Sequence, residues 1–168
     1  MPAFEPEKIF ATLERHHVDY VLIGGLAATL HGSNLRTGDV DVCPSRTPQN
    51  LAKLATALIE LGARIRTPDS PSGLRFACDA KFLAQMELCN LTTRFGDFDV
   101  SFRPSGTDGY PDLRRHAVDF ELGDLIVPTA SLDDIIRSKT AAARPKDLAQ
   151  LPTLRSLQRL AAKRKKRP

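Results

Sequence analysis

Apolar residues recur along the chain with two periods, and each period predicts its own elements. Ile9, Phe10 and Leu13 share one face of a helix over residues 5–16. Val18 to Ile23 is a short apolar run ending at Gly24-Gly25, the pattern of a buried strand. Leu26 to Leu30 reads as the first turns of a helix that His31-Gly32 closes. Val40 and Val42 alternate with Asp39 and Asp41, a strand pattern broken by Pro44-Ser45. Thr47 caps and Pro48 starts an amphipathic helix over 48–61, with Leu51, Leu54, Ala55, Leu58 and Leu61 as its apolar stripe. Residues 67–75 and 103–109 read as loops. Residues 86–93 and 97–102 read as strands of a hairpin turning at Arg94-Phe95-Gly96.

A short helix follows around Tyr110 to His116, then two strands over 117–121 and 124–128. Ser131, with Asp133 and Asp134 behind it, caps a helix running to about Ala143. Pro145 opens another, and a basic helix begins near Thr153. Strands in hairpins with helices gathered at both ends predict an α/β (α+β) protein, a mixed sheet flanked by helices.

The 168 residues suffice for one domain with a real core, and 42% hydrophobic with 26% charged residues predicts an ordered one. We expect a domain over residues 1–152 and a basic C-terminal helix and tail over 153–168. No apolar run is long enough to span a bilayer, and the N-terminus is acidic where a signal peptide is basic. The expected location is the cytoplasm, with no membrane partner. The net charge of +4 resides in the tail: without Lys163–Arg167 the remainder holds 19 basic against 20 acidic residues. Such a run is either a solvated tail or a hook for nucleic-acid phosphates. Cys43, Cys78 and Cys89 form no C-x-x-C pair, and no two histidines stand at a zinc-site spacing.

The chemistry concentrates in Gly24-Gly25 followed by Asp39-Val40-Asp41. In a strand, Asp39 and Asp41 project side by side while the valines enter the core. Two carboxylates about 5 Å apart repel by roughly 3 kcal/mol at an effective dielectric of ~20. A divalent cation between them reverses that sign, and oxygen-only ligation suits Mg²⁺. Glycines at a strand-to-helix junction let phosphate oxygens approach free backbone N–H groups. No G-x-x-x-x-G-K-[ST], G-x-G-x-x-G or G-x-S-x-G motif is present.

The segment GGLAATLHGSNLRTGDVDV resembles the signature of the polymerase-β-type nucleotidyltransferase superfamily, and most of all its small bacterial members such as the AbiE-type toxin nucleotidyltransferases. The resemblance implies a mixed nucleotidyltransferase-type sheet in a single domain. It implies two Mg²⁺ ions and transfer of a nucleoside monophosphate from an NTP, ATP among the candidates, to an acceptor hydroxyl. Gly24 and Gly25 would hold the triphosphate, and Asp39 and Asp41 would bind both metals. TTRFGDFDV resembles the family's T-x-x-G-x-x-D, which selects Asp99 over Asp97 as third carboxylate and as acceptor of the hydroxyl proton. IIRSKTAAARPKDLAQL resembles the Lys…Arg-x-x-Asp-Leu pattern of the same relatives, matched by Lys139, Arg144 and Asp147. By that likeness Lys139 contacts phosphates and Asp147 helps orient the site. Arg36, just ahead of the acidic pair, is a further candidate for triphosphate charge.

The sequence departs from the family at Leu26, where many members keep a serine; Ser33 is the candidate replacement. The toxin-like relatives imply an RNA end, such as tRNA, or a protein as acceptor, and a cognate antitoxin as partner. The alternative is a non-catalytic binding or antitoxin-like module, against which the retained acidic set argues. A small-molecule enzyme of the aminoglycoside-modifying kind is expected to need a larger second domain.

Overall fold

The computed structural model describes residues 3–167. Seven helices and eight strands follow in the order α1 (Pro6–Arg15), β1 (Tyr20–Ile23), α2 (Gly24–Leu30), β2 (Asp39–Pro44), α3 (Pro48–Glu60), β3 (Arg64–Thr67), β4 (Ser70–Leu74), α4 (Ala80–Ala84), β5 (Leu88–Thr93), β6 (Gly96–Ser101), α5 (Tyr110–Arg114), β7 (Val118–Leu122), β8 (Leu125–Thr129), α6 (Leu132–Ala142) and α7 (Pro145–Lys165). All eight strands form one mixed sheet in the order β4-β3-β5-β6-β2-β1-β8-β7. The domain is α+β, and no helix among the described residues is long and apolar enough to cross a membrane.

Local chemistry sets the element starts. The Thr47 hydroxyl accepts from the Asn50 amide and Ser131 from the Asp134 amide, so both predicted caps are in place. On the face of β2 and β6 turned from the aspartates, Val40, Val42, Phe98 and Val100 are fully buried. They join Ile9, Phe10 and Leu13 of α1 and Leu51, Leu54 and Leu58 of α3 in one core. This apolar layer holds β2 and β6 flat against the helices and leaves their polar face free.

The structure differs from the sequence expectation in three places. Residues 67–75 are not a loop: β3 and β4 pair across them, Ile65 opposite Leu74 and Thr67 opposite Ser70. β4, with sequence SPSGL, is an edge strand, where a proline is tolerated and apolar alternation is not needed. Its Gly73 has φ +84, and a Cβ there would fall 2.5 Å from the Arg64 Cβ, so the close approach of β4 to β3 at their register shift requires glycine. A short helix, α4, with Asp79 as cap, also lies in a stretch that shows no helical stripe. Finally, the basic segment is not a separate helix from Thr153, because α7 runs unbroken from Pro145 to Lys165 through Pro152. Pro152 lacks the N–H that would bond the carbonyl of Leu148, whose side chain is half exposed; water can serve that carbonyl.

Candidate active site

β2 lies parallel to β6 with Asp39 across from Asp97 and Asp41 across from Asp99. The same alternation that sends the valines and Phe98 into the core therefore puts four aspartates on one face, on strands about 4.8 Å apart. Carboxylate oxygens of Asp39, Asp41 and Asp99 lie within 4.8 Å of one another. Asp97 stands apart from that group, 3.3 Å from Nε of Arg66.

Gly24 and Gly25 begin α2 directly against this cluster. Gly24 has φ +71, and a Cβ on it would fall 2.4 Å from Oδ2 of Asp41. Only glycine lets the Asp41 carboxylate sit against the turn. A Cβ on Gly25 would meet the Thr37 hydroxyl at 3.3 Å. Thr37 donates its hydroxyl to Oδ1 of Asp39 at 2.8 Å, which orients that carboxylate.

Burial, then repulsion from Asp39 and Asp99, pushes Asp41 up to about 7, opposed in part by Lys139 and Lys146. Asp99 is also raised, by burial first, with Arg66 pulling the other way. Among the described residues, no Lys or Arg forms an ion pair with Asp39 or Asp41. An oxygen-only set of three carboxylates, of which only Asp99 is paired with a cation, Arg66, is a donor set that suits a hard divalent cation.

The cluster lines a cleft of about 610 Å³. One part of it carries cations: Arg36, Lys139, Arg144 and Lys146. Asp147, 1% exposed, ties two of these down. It accepts from Nε of Arg144 at 2.6 Å and from Nζ of Lys139 at 3.5 Å. Burial acts to raise Asp147, but the Arg144 hydrogen bonds and the charges of Arg144 and Lys139 together hold it below the usual carboxylate range. Lys139 is thus kept largely buried and turned into the cleft, although α6 would otherwise present it to solvent.

Of the residues singled out by sequence, Gly24, Gly25, Arg36, Asp39, Asp41, Asp99, Lys139 and Asp147 all line this cleft. Ser33 does not. It is buried, and its hydroxyl is spent accepting the Leu35 amide inside its own turn. The hydroxyl of Thr37, which lines the cleft, stands against Gly25 instead. Sequence reasoning missed three residues of the site. Thr37 adjoins the acidic pair; Lys146 sits between Arg144 and Asp147; Arg66 carries an alternation, Arg64-Ile65-Arg66, that reads as a strand with two cations on one face.

The model of a family described as nucleotidyltransferase of unknown function (DUF6036) matches residues 6–160. No functionally curated protein matches the sequence. Among solved structures, the lincosamide antibiotic adenylyltransferase LnuA, bound to lincomycin, superposes with a TM-score of 0.62 at 16% identity, over 94% of this chain and 99% of that one. A protein of Thermotoga maritima, described as a candidate nucleotidyltransferase, superposes with a TM-score of 0.53 at 15% identity, over 94% of this chain and 96% of its own. Both share the fold.

Proposed function

The chain belongs to the nucleotidyltransferase family of unknown function DUF6036, and on that premise we propose an Mg²⁺-dependent enzyme that moves a nucleoside monophosphate from an NTP to an acceptor hydroxyl. The observation that carries this reading is the approach of Asp39, Asp41 and Asp99 to within 4.8 Å beside a glycine turn. Two Mg²⁺ ions held by these carboxylates would supply charge neutralisation at the phosphates and at the attacking oxygen.

The protein's own residues do the rest. Gly24 and Gly25 let the triphosphate approach the backbone. Arg36 and Lys139, with Arg144 and Lys146 beside them, meet its negative charge. Asp147 keeps Lys139 and Arg144 aimed at it. The acceptor oxygen bonds to the α-phosphorus as the bond to the bridging oxygen breaks, and pyrophosphate leaves. The acceptor proton passes to Asp99, whose burial already favours the protonated form.

The acceptor we propose is an RNA end, tRNA included, or a protein, in the manner of an AbiE-type toxin acting in the cytoplasm and neutralised by a cognate antitoxin. The support is the Lys139…Arg144-x-x-Asp147-Leu148 pattern and the exposed basic stretch Lys163 to Arg167, which spans the end of α7 and the residues after it. A second reading of the acceptor, a small hydroxylated molecule, is favoured by size. This chain covers almost the whole of LnuA, so an adenylyltransferase named for a lincosamide antibiotic is contained in a fold of this extent. The expectation that a small acceptor needs a second domain fails for that protein.

The test is incubation with each labelled NTP, Mg²⁺ and either total RNA or cell lysate, in parallel with Asp39→Ala and Asp41→Ala. Label should pass to RNA, protein or a small molecule with the wild type only, while both variants keep a cooperative melt. Label transfer undiminished in either variant would sink the proposal.

A further inference from the structure

A cation from a distant strand reaches the acidic cluster from the side away from Asp39 and Asp41. β3 pairs with β5, Ile65 across from Leu91, and β5 pairs with β6, Asn90 across from Asp99. One step along the first ladder sets Arg66 across from Asn90. A single row of residues, Arg66, Asn90, Asp99 and Asp41, therefore crosses four strands on one face. Two strand spacings separate β3 from β6, about 10 Å, a span suited to the long side chain of arginine rather than to a short polar one.

The guanidinium completes the row. Nη2 of Arg66 donates to Oδ1 of Asp99 at 2.8 Å, and Nε stands 3.3 Å from Oδ2 of Asp97. The Asp99 side chain is only 16% exposed. The buried Nε has no aligned hydrogen-bond partner. The side chain thus leaves one donor unsatisfied while seating Nη2 on Asp99. Arg66 does not line the cleft, and its contact with the three-carboxylate group is through Asp99. Its charge is shared between Asp99 and Asp97 alongside, so it offsets the cluster only in part.

We infer that Arg66 is a positioning residue that hydrogen-bonds Oδ1 of Asp99 and so fixes the orientation of that carboxylate toward Asp39 and Asp41 before any cation arrives. The inference rests on the nucleotidyltransferase reading of those three carboxylates. Groups that hydrogen-bond a metal-ligating side chain typically contribute 10- to 100-fold in metal affinity.

The experiment is Mn²⁺ binding to the nucleotide-free protein, read by the loss of the free-ion paramagnetic resonance signal, with thermal melts alongside. Arg66→Ala combined with Asp97→Asn removes one positive and one negative charge, so positioning is tested at constant net charge. The double variant should bind Mn²⁺ at least ~10-fold more weakly than wild type. Asp97→Asn alone, which removes a nearby negative charge but leaves Arg66 on Asp99, should lose clearly less affinity than the double variant, and Arg66→Lys, which keeps charge and a donor, should recover part of it. A double variant with wild-type Mn²⁺ affinity and a lowered melt would make Arg66 a structural strut and overturn the inference. A loss in Asp97→Asn alone as large as in the double variant would overturn it too, by making Asp97 rather than Arg66 the group that matters. A wild type that binds no Mn²⁺ would instead bring down the cation-site reading on which it stands.

Discussion

Asp41→Asn should stabilise the protein and silence it together. The carboxyl sits between the Gly24 turn, Asp39 and Asp99, and is raised from 3.8 to about 7 by burial and then by its acidic neighbours. Between about pH 4 and pH 7 the unfolded chain has released this proton while the folded one retains it. Native stability is therefore present in full below pH 4 and falls as pH rises through 7. At 1.36 kcal/mol per pH unit the loss is ~4 kcal/mol, an upper bound because three coupled carboxylates share the titration. Asparagine has the same shape and no charge, so without metal at pH 8 it recovers part of that loss. At pH 5 the folded carboxyl is still protonated but the unfolded one is already ionised, so only about a third of that loss has accrued and can be recovered. A domain of this size shifts its Tm by roughly 2–4 °C per kcal/mol. Melts in EDTA should therefore rise by ~3–10 °C for Asp41→Asn at pH 8 and by about a third as much at pH 5. Excess Mg²⁺ at pH 8 should raise the wild-type Tm and leave the variant's alone. A variant that melts at or below wild type at pH 8, or gains equally at pH 5, would refute the claim that the acidic cluster strains the metal-free fold.

Three further outcomes follow from the same geometry. Gly24→Ala forces a left-handed residue, costing ~1–2 kcal/mol, and drives a methyl into Asp41; calorimetry should find a lower Tm and Mn²⁺ titration a weaker site. Asp147→Asn removes the anion that tethers Lys139 and the half-exposed Arg144. Because Asp147 is held below the ordinary range, its contribution is present at neutral pH and lost in acid. The variant should melt lower by ~1 kcal/mol at pH 7, with the gap closing near pH 3 and a raised KM for NTP. Replacing Lys163, Arg164, Lys165, Lys166 and Arg167 by glutamine should leave the melt unchanged. If RNA is the acceptor, it should flatten the log–log salt dependence of RNA binding by about 0.7–0.9 for each phosphate the tail no longer neutralises; an unchanged slope would place the RNA elsewhere.

What the sequence could state about this site was side-chain identity and parity; what it could not state was which strands meet, and in what register. Asp39 and Asp41 were legible because two residues apart on one strand is a local fact. Asp99 was separable from Asp97 only by a family pattern, since both are on the same face of β6. Both stand across from an aspartate of β2 and both touch Arg66, but the more buried Asp99 brings an oxygen into the group with Asp39 and Asp41, while the more exposed Asp97 does not. Arg66 itself stayed out of sight because β4 is polar, carries a proline and reads as a loop, so the hairpin that places Arg66 had no apolar signature. Ser33 was misplaced for the converse reason: its identity suits phosphate binding, but its turn claims the hydroxyl. The register of β6 on β2 decides both halves of the domain at once. A slip of one residue would turn Asp99 into the core and bring Phe98 and Val100, both fully buried, out into the cleft. The apolar layer against α1 and α3 is therefore what keeps the repelling carboxylates together. Packing on one face of the sheet holds in place an arrangement on the other that electrostatics alone would disperse.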